Sequence, residues 1–439
     1  MPADNPSFFF SAVTAAYNVE PWIARFLRSL TEQTLDFHGH IQVILVDDGS
    51  TDQTGAIAEA WAREHPENTV CLRRENGGAA SARNAGLDCA QGRWVTFCDA
   101  DDYVDADYFA RVKEFLDAGF DGACVACKLI FFEERTGEFA DTHHLRFKFR
   151  EESAVVDLDQ RPEYVQLSFS SAFVRLKDLR AGGLRFDARV RPSFEDGHLL
   201  NKFLLCAGTR NIAFLRDARY FYRRRVQGGG LVESGWHRPE KYRDQIVYGY
   251  LDLVRFARQK TGRVPAFIQQ AVIYDTQFYI EKFLLQTIPS FSPQEFADFL
   301  QLMRALFAHI DRDQVFLSPL PMLSVPIRTA MLNVFKGELP PLLPLEVEEV
   351  LADQREIWVG ACTGAHAAFR FHAGRAVTPL EADIVPYEFC ESLLCVSHRF
   401  RLPLGETPLS CTVDGQAVDF LHRGKIFHTF STADLAQEP

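Results

Sequence analysis

The sequence predicts an α/β protein whose first part is a mostly parallel sheet with helices on both faces, followed by a helical region and a small β-rich domain. Over residues 8–118, apolar runs alternate with amphipathic segments in the order β-α-β-α-β, which is the order that builds parallel sheets. Acidic clusters follow two of the apolar runs, at 47–48 and 99–102. Ligands of such sheets bind beyond the carboxyl ends of the strands, so we expect both clusters at one edge.

The elements of the first part follow from hydrophobic periodicity. Apolar runs of strand length and amphipathic windows of helical length alternate along it. We predict strands at 8–15, 41–46, 70–73 and 94–98, and helices at 20–34, 51–64, 79–90 and 106–118. Residues 119–225 are mixed, with short strands at 123–132 and 170–175 and a helix that begins near Glu195.

The remainder of the chain changes pattern twice. Aromatic residues at helical spacing over 241–308 indicate a helical region, and we interpret them as core. A proline-rich stretch follows and predicts a semi-rigid linker, after which a period of two and an Asp-Gly turn predict a small β-sandwich or barrel. The predicted domains are 1–230, the helical region 231–336, the linker 337–345 and the β-rich domain 346–439. Strand-like patterning continues almost to Pro439, as in a protein that extends further.

Composition and charge exclude several classes of protein. The net charge of −12 argues against broad nucleic-acid binding, which needs a basic surface. The sequence contains neither an apolar run of membrane-spanning length nor a signal-peptide pattern. Its ten cysteines lie mostly inside apolar runs without regular spacing, as in reduced cytosolic proteins. We therefore expect a cytoplasmic protein, with peripheral association at the inner face of the membrane as a further expectation.

The acidic cluster at 99–102 is the first chemical clue. Asp99, Asp101 and Asp102 follow a run of apolar residues, and carboxylates crowded at the end of a buried strand repel one another unless a cation is present. Mg²⁺ and Mn²⁺ prefer oxygen ligands and often take phosphate oxygens as well. The hypothesis is a metal that holds a phosphorylated substrate; the alternative is a solvated turn with an Asp-rich helix cap.

Four segments in order connect this cluster to a known family. They are Ala15-Ala16-Tyr17-Asn18, Val46-Asp47-Asp48-Gly49-Ser50, Asn76-Gly77-Gly78-Ala79-Ala80-Ser81-Ala82-Arg83 and Asp99-Ala100-Asp101-Asp102. Together they resemble the nucleotide-sugar-binding half of family 2 glycosyltransferases, which have the GT-A fold. The resemblance covers roughly residues 8–225, with Ala15 where such enzymes often have Pro or Thr.

The resemblance implies a nucleotide-sugar site. Asp48 would accept the N–H of a uracil-type base, since a carboxylate only accepts hydrogen bonds, with Tyr17 packing nearby; the alternative for Asp48 is helix capping. Arg83 would approach the diphosphate or the base as a fixed cation, and its alternative is a surface salt bridge. The same site would include the neighbouring motif residues Ala15, Asn18, Asp47, Asn76 and Gly77.

The resemblance also implies a metal cofactor, Mn²⁺ or Mg²⁺. Asp99 would anchor the ribose and, with Asp101, the cation that bridges the diphosphate. Asp102 and His237 are further candidate ligands, although a surface or core histidine is the more common alternative for His237.

A downstream Glu-Asp pair completes the resemblance. In the family, the Asp that corresponds to Asp196 is the general base of an inverting transfer, taking the proton of the acceptor hydroxyl, and Glu195 would orient it or touch the acceptor. The alternative is that both residues only favour a helix N-terminus. Arg224 and Arg225, followed by three glycines, resemble the start of a loop that closes over phosphates, against the alternative of a solvated basic loop. His198 is left without a role.

The sequence therefore predicts a metal-dependent inverting glycosyltransferase that uses a nucleotide sugar, most simply a UDP-sugar, and a glycan or surface-polymer acceptor. The family's Gln-x-x-Arg-Trp motif of processive members is missing from the sequence, and the layout of the later regions is similar to that of enzymes that build bacterial surface polymers. The C-terminal region is a candidate for homo-oligomer contacts. The alternatives are a catalytically silent carbohydrate-binding scaffold and a nucleotidyltransferase, which would carry a Gly- and Lys/Arg-rich first loop.

Overall fold

A computed structural model describes residues 7–226, 231–288, 291–339, 343–423 and 425–436. The chain divides into two compact units, Met1–Val272 and Ile273–Pro439. Within the described ranges, the helices are all too short or too polar to span a membrane. The predicted class is confirmed: an α/β sheet unit precedes a unit of helices and further strands.

The first unit contains one mixed sheet of ten strands among its described residues. The strands are β1 (Phe8–Ala16), β2 (Ile41–Asp47), β3 (Thr69–Arg73), β4 (Gly92–Asp99), β5 (Tyr103–Val104), β6 (Cys124–Glu133), β7 (Glu138–Ala140), β8 (Ser153–Asp157), β9 (Ala172–Arg175) and β10 (Asn211–Arg224). Short helical turns are frequent between them.

Helices connect and flank the strands of the first unit. They are α1 (Glu20–Thr31), α2 (Phe37–His40), α3 (Thr54–Glu64), α4 (Ala79–Cys89), α5 (Tyr108–Asp117), α6 (Leu176–Ala181), α7 (Glu195–Cys206), α8 (Leu231–Gly235), α9 (Pro239–Tyr242) and α10 (Asp252–Thr261), with a 3₁₀ turn at Arg146–Phe149 and a π-helix at Gln245–Leu251. The helix predicted at 20–34 ends earlier, at Thr31.

The strand order places several strand ends together. The sheet runs β3-β2-β1-β4-β9-β6-β10-β5, with β7 beside β6 and β8 beside β10. β1 is parallel to both β2 and β4, whereas β9 is antiparallel to β4 and β6. Ala15 is in register with Val46 on one side and with Asp99 on the other. We call the side of the sheet where β1, β2 and β4 end the carboxyl edge.

Apolar packing fixes this register. Every residue of β2 is buried, which matches the continuous apolar runs of parallel strands covered on both faces. Phe10 of β1 packs edge-on against Phe109 of α5 and Phe173 of β9, with ring centroids 5.3 and 5.2 Å apart. A one-residue slip of a strand would exchange its two faces, so the core holds the strand ends in place.

The second unit combines helices with two antiparallel-rich sheets. Its helices are α11 (Ala266–Leu284, which begins in the first unit), α12 (Pro293–Phe307), α13 (Arg312–Phe316) and α14 (Val325–Ala330), with a π-helix at Met331–Lys336 and 3₁₀ turns at Ala352–Gln354 and Thr432–Ala436. Its strands are β11 (Leu345–Leu351), β12 (Glu356–Thr363), β13 (Phe369–Ala373), β14 (Arg375–Val377), β15 (Glu381–Phe389), β16 (Ser392–Pro403), β17 (Ser410–Val413), β18 (Gln416–Val418), β19 (Phe420–His422) and β20 (Lys425–Phe427).

These strands form the predicted β-rich region. A six-stranded sheet, β15-β16-β12-β11-β19-β20, and a four-stranded sheet, β14-β13-β17-β18, share an apolar core that includes Phe371 and Phe400. The domain boundaries predicted from composition stay predictions. Residues 340–342 of the predicted linker and the glycines at 228–230 lie outside the described residues.

Candidate active site

The carboxyl edge gathers the first two motifs. Asp47 ends β2 and its Oδ1 accepts the backbone N–H of Ser50 at 2.9 Å, which closes the turn after the strand. Asn18, in a left-handed conformation with φ +50°, uses its side-chain oxygen to accept the N–H of Thr51 at 2.9 Å. The ends of β1 and β2 are thereby tied together. Tyr17 is 49% exposed, so its ring is available for a flat ligand beside them.

Asp48 organises the neighbouring loop. Its carboxylate accepts the backbone N–H of Gly77 at 3.1 Å and of Gly78 at 2.7 Å, and Arg74 lies 3.2 Å away. Gly78 has φ +84° and ψ 160°, a combination that only glycine adopts without strain. Asp48 is buried, and its observed partners are these loop groups. Its contact with a nucleotide base therefore stays a prediction.

Close packing of α4 on the sheet positions Arg83. A Cβ at Gly86 would lie 2.4 Å from Val13 Cγ1 and 3.3 Å from Val46 Cγ2, so only glycine permits this approach. Arg83 lies three residues earlier on the same face of the helix. The helix therefore delivers a guanidinium to the carboxyl edge.

Three carboxylates converge on Arg83. Its Nη2 donates to Asp99 Oδ1 at 2.8 Å, and its Nη1 donates to Glu195 Oε1 at 2.8 Å and to Asp196 Oδ1 at 3.0 Å. The arginine side chain is only 7% exposed. Burial alone would lower the pKa of Arg83, but the surrounding carboxylates raise it well above its ordinary value. Arg83, predicted to contact the diphosphate, is in this structure the counter-ion of Asp196, the predicted base, and of Asp99 in the acidic motif.

Asp196 lies in the first turn of α7. The preceding helix cap, Phe194, has φ +80°, a conformation that bulky residues rarely adopt and that is common at functional sites. The second carboxylate oxygen of Asp196 accepts the backbone N–H of Phe169 at 3.0 Å. Burial raises the pKa of Asp196 to about 7, because the charges of Glu195 and Asp99 add to the cost of ionisation while Arg83 opposes it. A carboxylate with a pKa near neutrality suits proton transfer.

The acidic motif divides into two kinds of carboxylate. Asp102 is buried, and its oxygens accept the N–H of Arg223 at 2.8 Å and the hydroxyl of Tyr220 at 2.8 Å. Burial, with the charges of Asp101 and Asp99, raises the pKa of Asp102 well above its ordinary value. Asp99 and Asp101 keep side-chain exposures of 31% and 21%. They are the more accessible members of the motif.

Asp99 and Asp101 are the two carboxylates through which a divalent cation would bind, and the metal stays a prediction. Among the described residues, no group of three or more His, Cys, Asp or Glu side chains is arranged to hold a metal by itself. However, Mg²⁺ and Mn²⁺ commonly bind through one or two carboxylates plus substrate phosphates. Burial raises the pKa of Asp101 and the nearby charge of Asp99 raises it further, while Arg225 opposes both. Each carboxylate already has an arginine partner, Arg83 for Asp99 and Arg225 for Asp101, so a cation there would compete with two ion pairs. His237 is exposed, and its role as a ligand stays a prediction.

The two arginines at the end of β10 occupy different environments. Arg225 donates from Nε and Nη2 to Asp101 Oδ2 at 2.9 and 2.5 Å. Arg224 instead pairs with Glu133 at 2.8 Å and covers the ring of Phe131. Of the two, Arg225 is therefore the one that contacts the acidic motif.

Sequence reasoning missed several partners in this site. Phe169 contributes only its backbone N–H, which no side-chain pattern identifies. Tyr220 lies on β10, and its hydroxyl donates to Asp102 and accepts the N–H of Asp99. His198, which follows the Glu-Asp pair on α7, bonds Asp252 at 2.7 Å.

Comparison with known proteins gives a family and several relatives. Residues 11–171 match the model of the family described as Glycosyl transferase family 2. The chain is 30% identical over 312 residues to the minor teichoic acid biosynthesis protein GgaB of Bacillus subtilis (strain 168), which is 70% of this chain and 33% of GgaB. It is 25% identical over 273 residues to GgaA of the same organism, which is 62% of this chain and 59% of GgaA. The chain thus covers less than two thirds of either relative.

A solved structure has the same fold. The crystal structure of S. aureus TarS 1-349 in complex with UDP-GlcNAc aligns with a TM-score of 0.57 at 22% identity. The alignment covers 74% of this chain and 86% of that chain. At this identity the likeness concerns the fold, and it confirms the GT-A architecture predicted from the motifs.

Proposed function

We propose that the domain that matches the Glycosyl transferase family 2 model over residues 11–171 transfers a sugar from a nucleotide sugar to a hydroxyl group of a glycan or surface polymer. The transfer inverts the configuration at the anomeric carbon. Asp196 acts as the general base, and Asp99 and Asp101 would hold Mn²⁺ or Mg²⁺, which would supply positive charge for the leaving diphosphate.

The observation that carries this proposal is the position of Arg83 between Asp99 and Asp196. The guanidinium bonds both carboxylates, at 2.8 and 3.0 Å. Asp99 belongs to the predicted donor side of the site and Asp196 to the predicted acceptor side. The buried guanidinium of Arg83 therefore fixes the distance between the donor side and the acceptor side. This is expected where the acceptor oxygen must attack the donor in line.

The proposed chemistry needs one base, and Asp196 is the carboxylate assigned to that role. Asp196 accepts the proton of the acceptor hydroxyl as that oxygen bonds to the anomeric carbon, and the bond to the diphosphate breaks with its electron pair leaving on the phosphate oxygen. The N–H of Phe169 holds one oxygen of Asp196, which leaves the orientation of the carboxylate defined. A glycosidase would need a second carboxyl group placed across the scissile bond.

The leaving diphosphate needs positive charge. A cation bound by Asp99 and Asp101 would supply that charge. On the protein side, Arg225 lies next to Asp101 and is the nearest candidate for a direct contact with the phosphates. Asp102 is buried and anchors the motif through its hydrogen bonds with Tyr220 and Arg223.

The nature of the substrates is inferred from the relatives. TarS 1-349 was crystallised in complex with UDP-GlcNAc, and GgaB is a teichoic acid biosynthesis protein. By analogy we propose a UDP-sugar as donor and an anionic cell-wall polymer as acceptor. Asp48 and the exposed ring of Tyr17 would receive the uracil base.

A panel of nucleotide sugars tests the proposal. Each compound is assayed for hydrolysis and for thermal stabilisation of the full chain, with and without Mn²⁺, because a ligand stabilises the state that binds it. We expect one UDP-sugar to be hydrolysed only with metal and Asp101→Ala to abolish this. The matched control is Asp107→Ala, which removes a surface carboxylate paired with Arg111. Stabilisation without turnover for every compound would favour the silent scaffold instead.

A further inference from the structure

Arg225 is held in a double contact at the acidic motif. Its guanidinium carbon lies 4.0 Å from the centroid of the Trp22 ring, while Nε and Nη2 both donate to Asp101 Oδ2. The arginine side chain is 20% exposed and the Asp101 side chain 21%. The pair is therefore largely removed from water. At such a partly buried position an ion pair is screened less than on an open surface.

Trp22 is itself fixed. Its Nε1 donates to Glu134 Oε1 at 2.6 Å. The other oxygen of Glu134 accepts the N–H of Val226 at 3.0 Å, and Arg223 lies 3.4 Å from the first. Glu134 thus joins the start of α1 to the backbone that follows Arg225. The position of the Trp22 ring beside Arg225 is therefore fixed by a hydrogen bond of its own.

This arrangement places the positive charge of Arg225 on a carboxylate that the proposed metal would need as a ligand. Both N–H groups bond the same oxygen of Asp101, and that carboxylate is one of the two that would hold the metal. A divalent cation on that oxygen would displace the guanidinium, and one on the other oxygen of Asp101 would still repel it, because like charges repel at that separation. Cation binding therefore competes with the Arg225–Asp101 pair.

We propose that Arg225 is a place-holding cation that neutralises Asp101 until metal binds, and that Trp22 is a positioning residue that keeps the released guanidinium beside the donor phosphates. The inference rests on the proposed function and deepens it. The stacked contact with Trp22 survives loss of the ion pair, since the ring face attracts a guanidinium whatever its hydrogen-bond partner. Arg225 then donates to the diphosphate without leaving the site.

The first test is Mn²⁺ binding to the full chain by calorimetry, without donor. Arg225→Ala is expected to bind Mn²⁺ tighter than wild type by roughly three- to tenfold, the range over which one largely buried ion pair competes. Arg224→Ala is the matched control, because it removes the same charge one residue earlier from a side chain paired with Glu133. If Arg225→Ala gains more Mn²⁺ affinity than Arg224→Ala, the excess reports loss of the ion pair with Asp101 rather than the change in net charge.

The second test is UDP binding with saturating Mn²⁺. Arg225→Ala is expected to bind UDP more weakly, so its two affinities change in opposite directions, which loss of structure would not produce. Trp22→Leu is expected to weaken UDP binding while leaving Mn²⁺ affinity near wild type. Trp22→Phe, which keeps a ring but loses the N–H bonded to Glu134, is expected to restore most of the UDP affinity.

The outcomes separate this inference from the proposed function. If wild type binds Mn²⁺ and UDP but Arg225→Ala gains no Mn²⁺ affinity over Arg224→Ala, the place-holding role is wrong and the proposed transferase stands. If Trp22→Leu binds UDP like wild type, the positioning role of the ring is wrong. If wild type binds no Mn²⁺ either alone or with UDP present, the metal part of the proposed function and this inference fail together.

Discussion

Arg83 on α4 bonds Asp196 on α7 at 3.0 Å, across 113 residues of sequence. The same guanidinium bonds Asp99 at 2.8 Å. The arginine is buried, so it cannot exchange these partners for water at little cost. In the proposed reaction this contact sets where the base stands relative to the donor.

Removing Arg83 should destabilise the protein strongly. Arg83→Ala leaves Asp99, Glu195 and Asp196 without their shared counter-ion, and breaking a buried ion pair from one side costs about 3–5 kcal/mol. We expect this loss in the free energy of unfolding measured by denaturant titration. Arg83→Lys should recover part of it, since an ammonium cannot match the forked geometry of a guanidinium.

A surface pair provides the comparison for that loss. Arg111 bonds Asp107 one turn away at the start of α5, and exposed pairs of this kind contribute little. Arg111→Ala should leave the unfolding transition close to wild type. Equal effects of Arg83→Ala and Arg111→Ala would show that the cluster around Arg83 is not an energetic centre.

The rate of transfer should depend on pH through Asp196. Because burial raises the pKa of Asp196 to about 7, the carboxylate that accepts the proton is lost as the pH falls below that value. At saturating donor and metal, kcat should fall about tenfold for each unit below the pKa. Donor affinity, measured separately across the same range, identifies any contribution from binding. A kcat that stays constant from pH 8 to well below 7 would contradict the assignment.

The loop at Gly78 should be sensitive to a single methyl group. Gly78→Ala forces a side chain into a backbone region that is essentially restricted to glycine, at a cost of about 1–3 kcal/mol. The change would also disturb the 2.7 Å bond from the Gly78 N–H to Asp48. We expect lower thermal stability together with weaker donor binding.

Gly208→Ala is the matched control for that substitution. Gly208 has open space where a Cβ would stand, and it is exposed on the surface. It should therefore accept alanine with little change in stability or donor binding. Equal thermal stability and donor affinity of Gly78→Ala and Gly208→Ala would show that the backbone conformation at Gly78 is not needed for donor binding.

Local sequence patterns predicted the strands of the site but not its long-range pairs. The apolar run of β2 ends in Asp47, and the run of β4 ends in Asp99, so the two acidic clusters could be placed on one edge. The pairing of Arg83 with Asp196 depends on how α4 and α7 pack, which periodicity does not encode. The resemblance to the family supplied both residues, but not their contact.

Other elements escaped prediction because their signal is weak. β15 has exposed side chains along most of its length and lacks the alternation of a half-buried strand. Asp102 carries the same side chain as its neighbours in the motif, yet it is buried against Tyr220, a residue 118 positions away. Identical residue types in one motif thus acquire different roles through tertiary packing.

The most direct test of the account compares single-turnover sugar transfer by wild type and Asp196→Asn at saturating donor and Mn²⁺. The amide keeps the shape of the side chain but cannot take a proton, so transfer should fall about 10²–10⁴-fold, while UDP affinity stays near wild type. The unfolding temperature should fall, because an amide has one acceptor oxygen for the two N–H groups of Arg83 and Phe169. Transfer by Asp196→Asn at close to the wild-type rate, with donor bound normally, would contradict the assignment of Asp196 as the base.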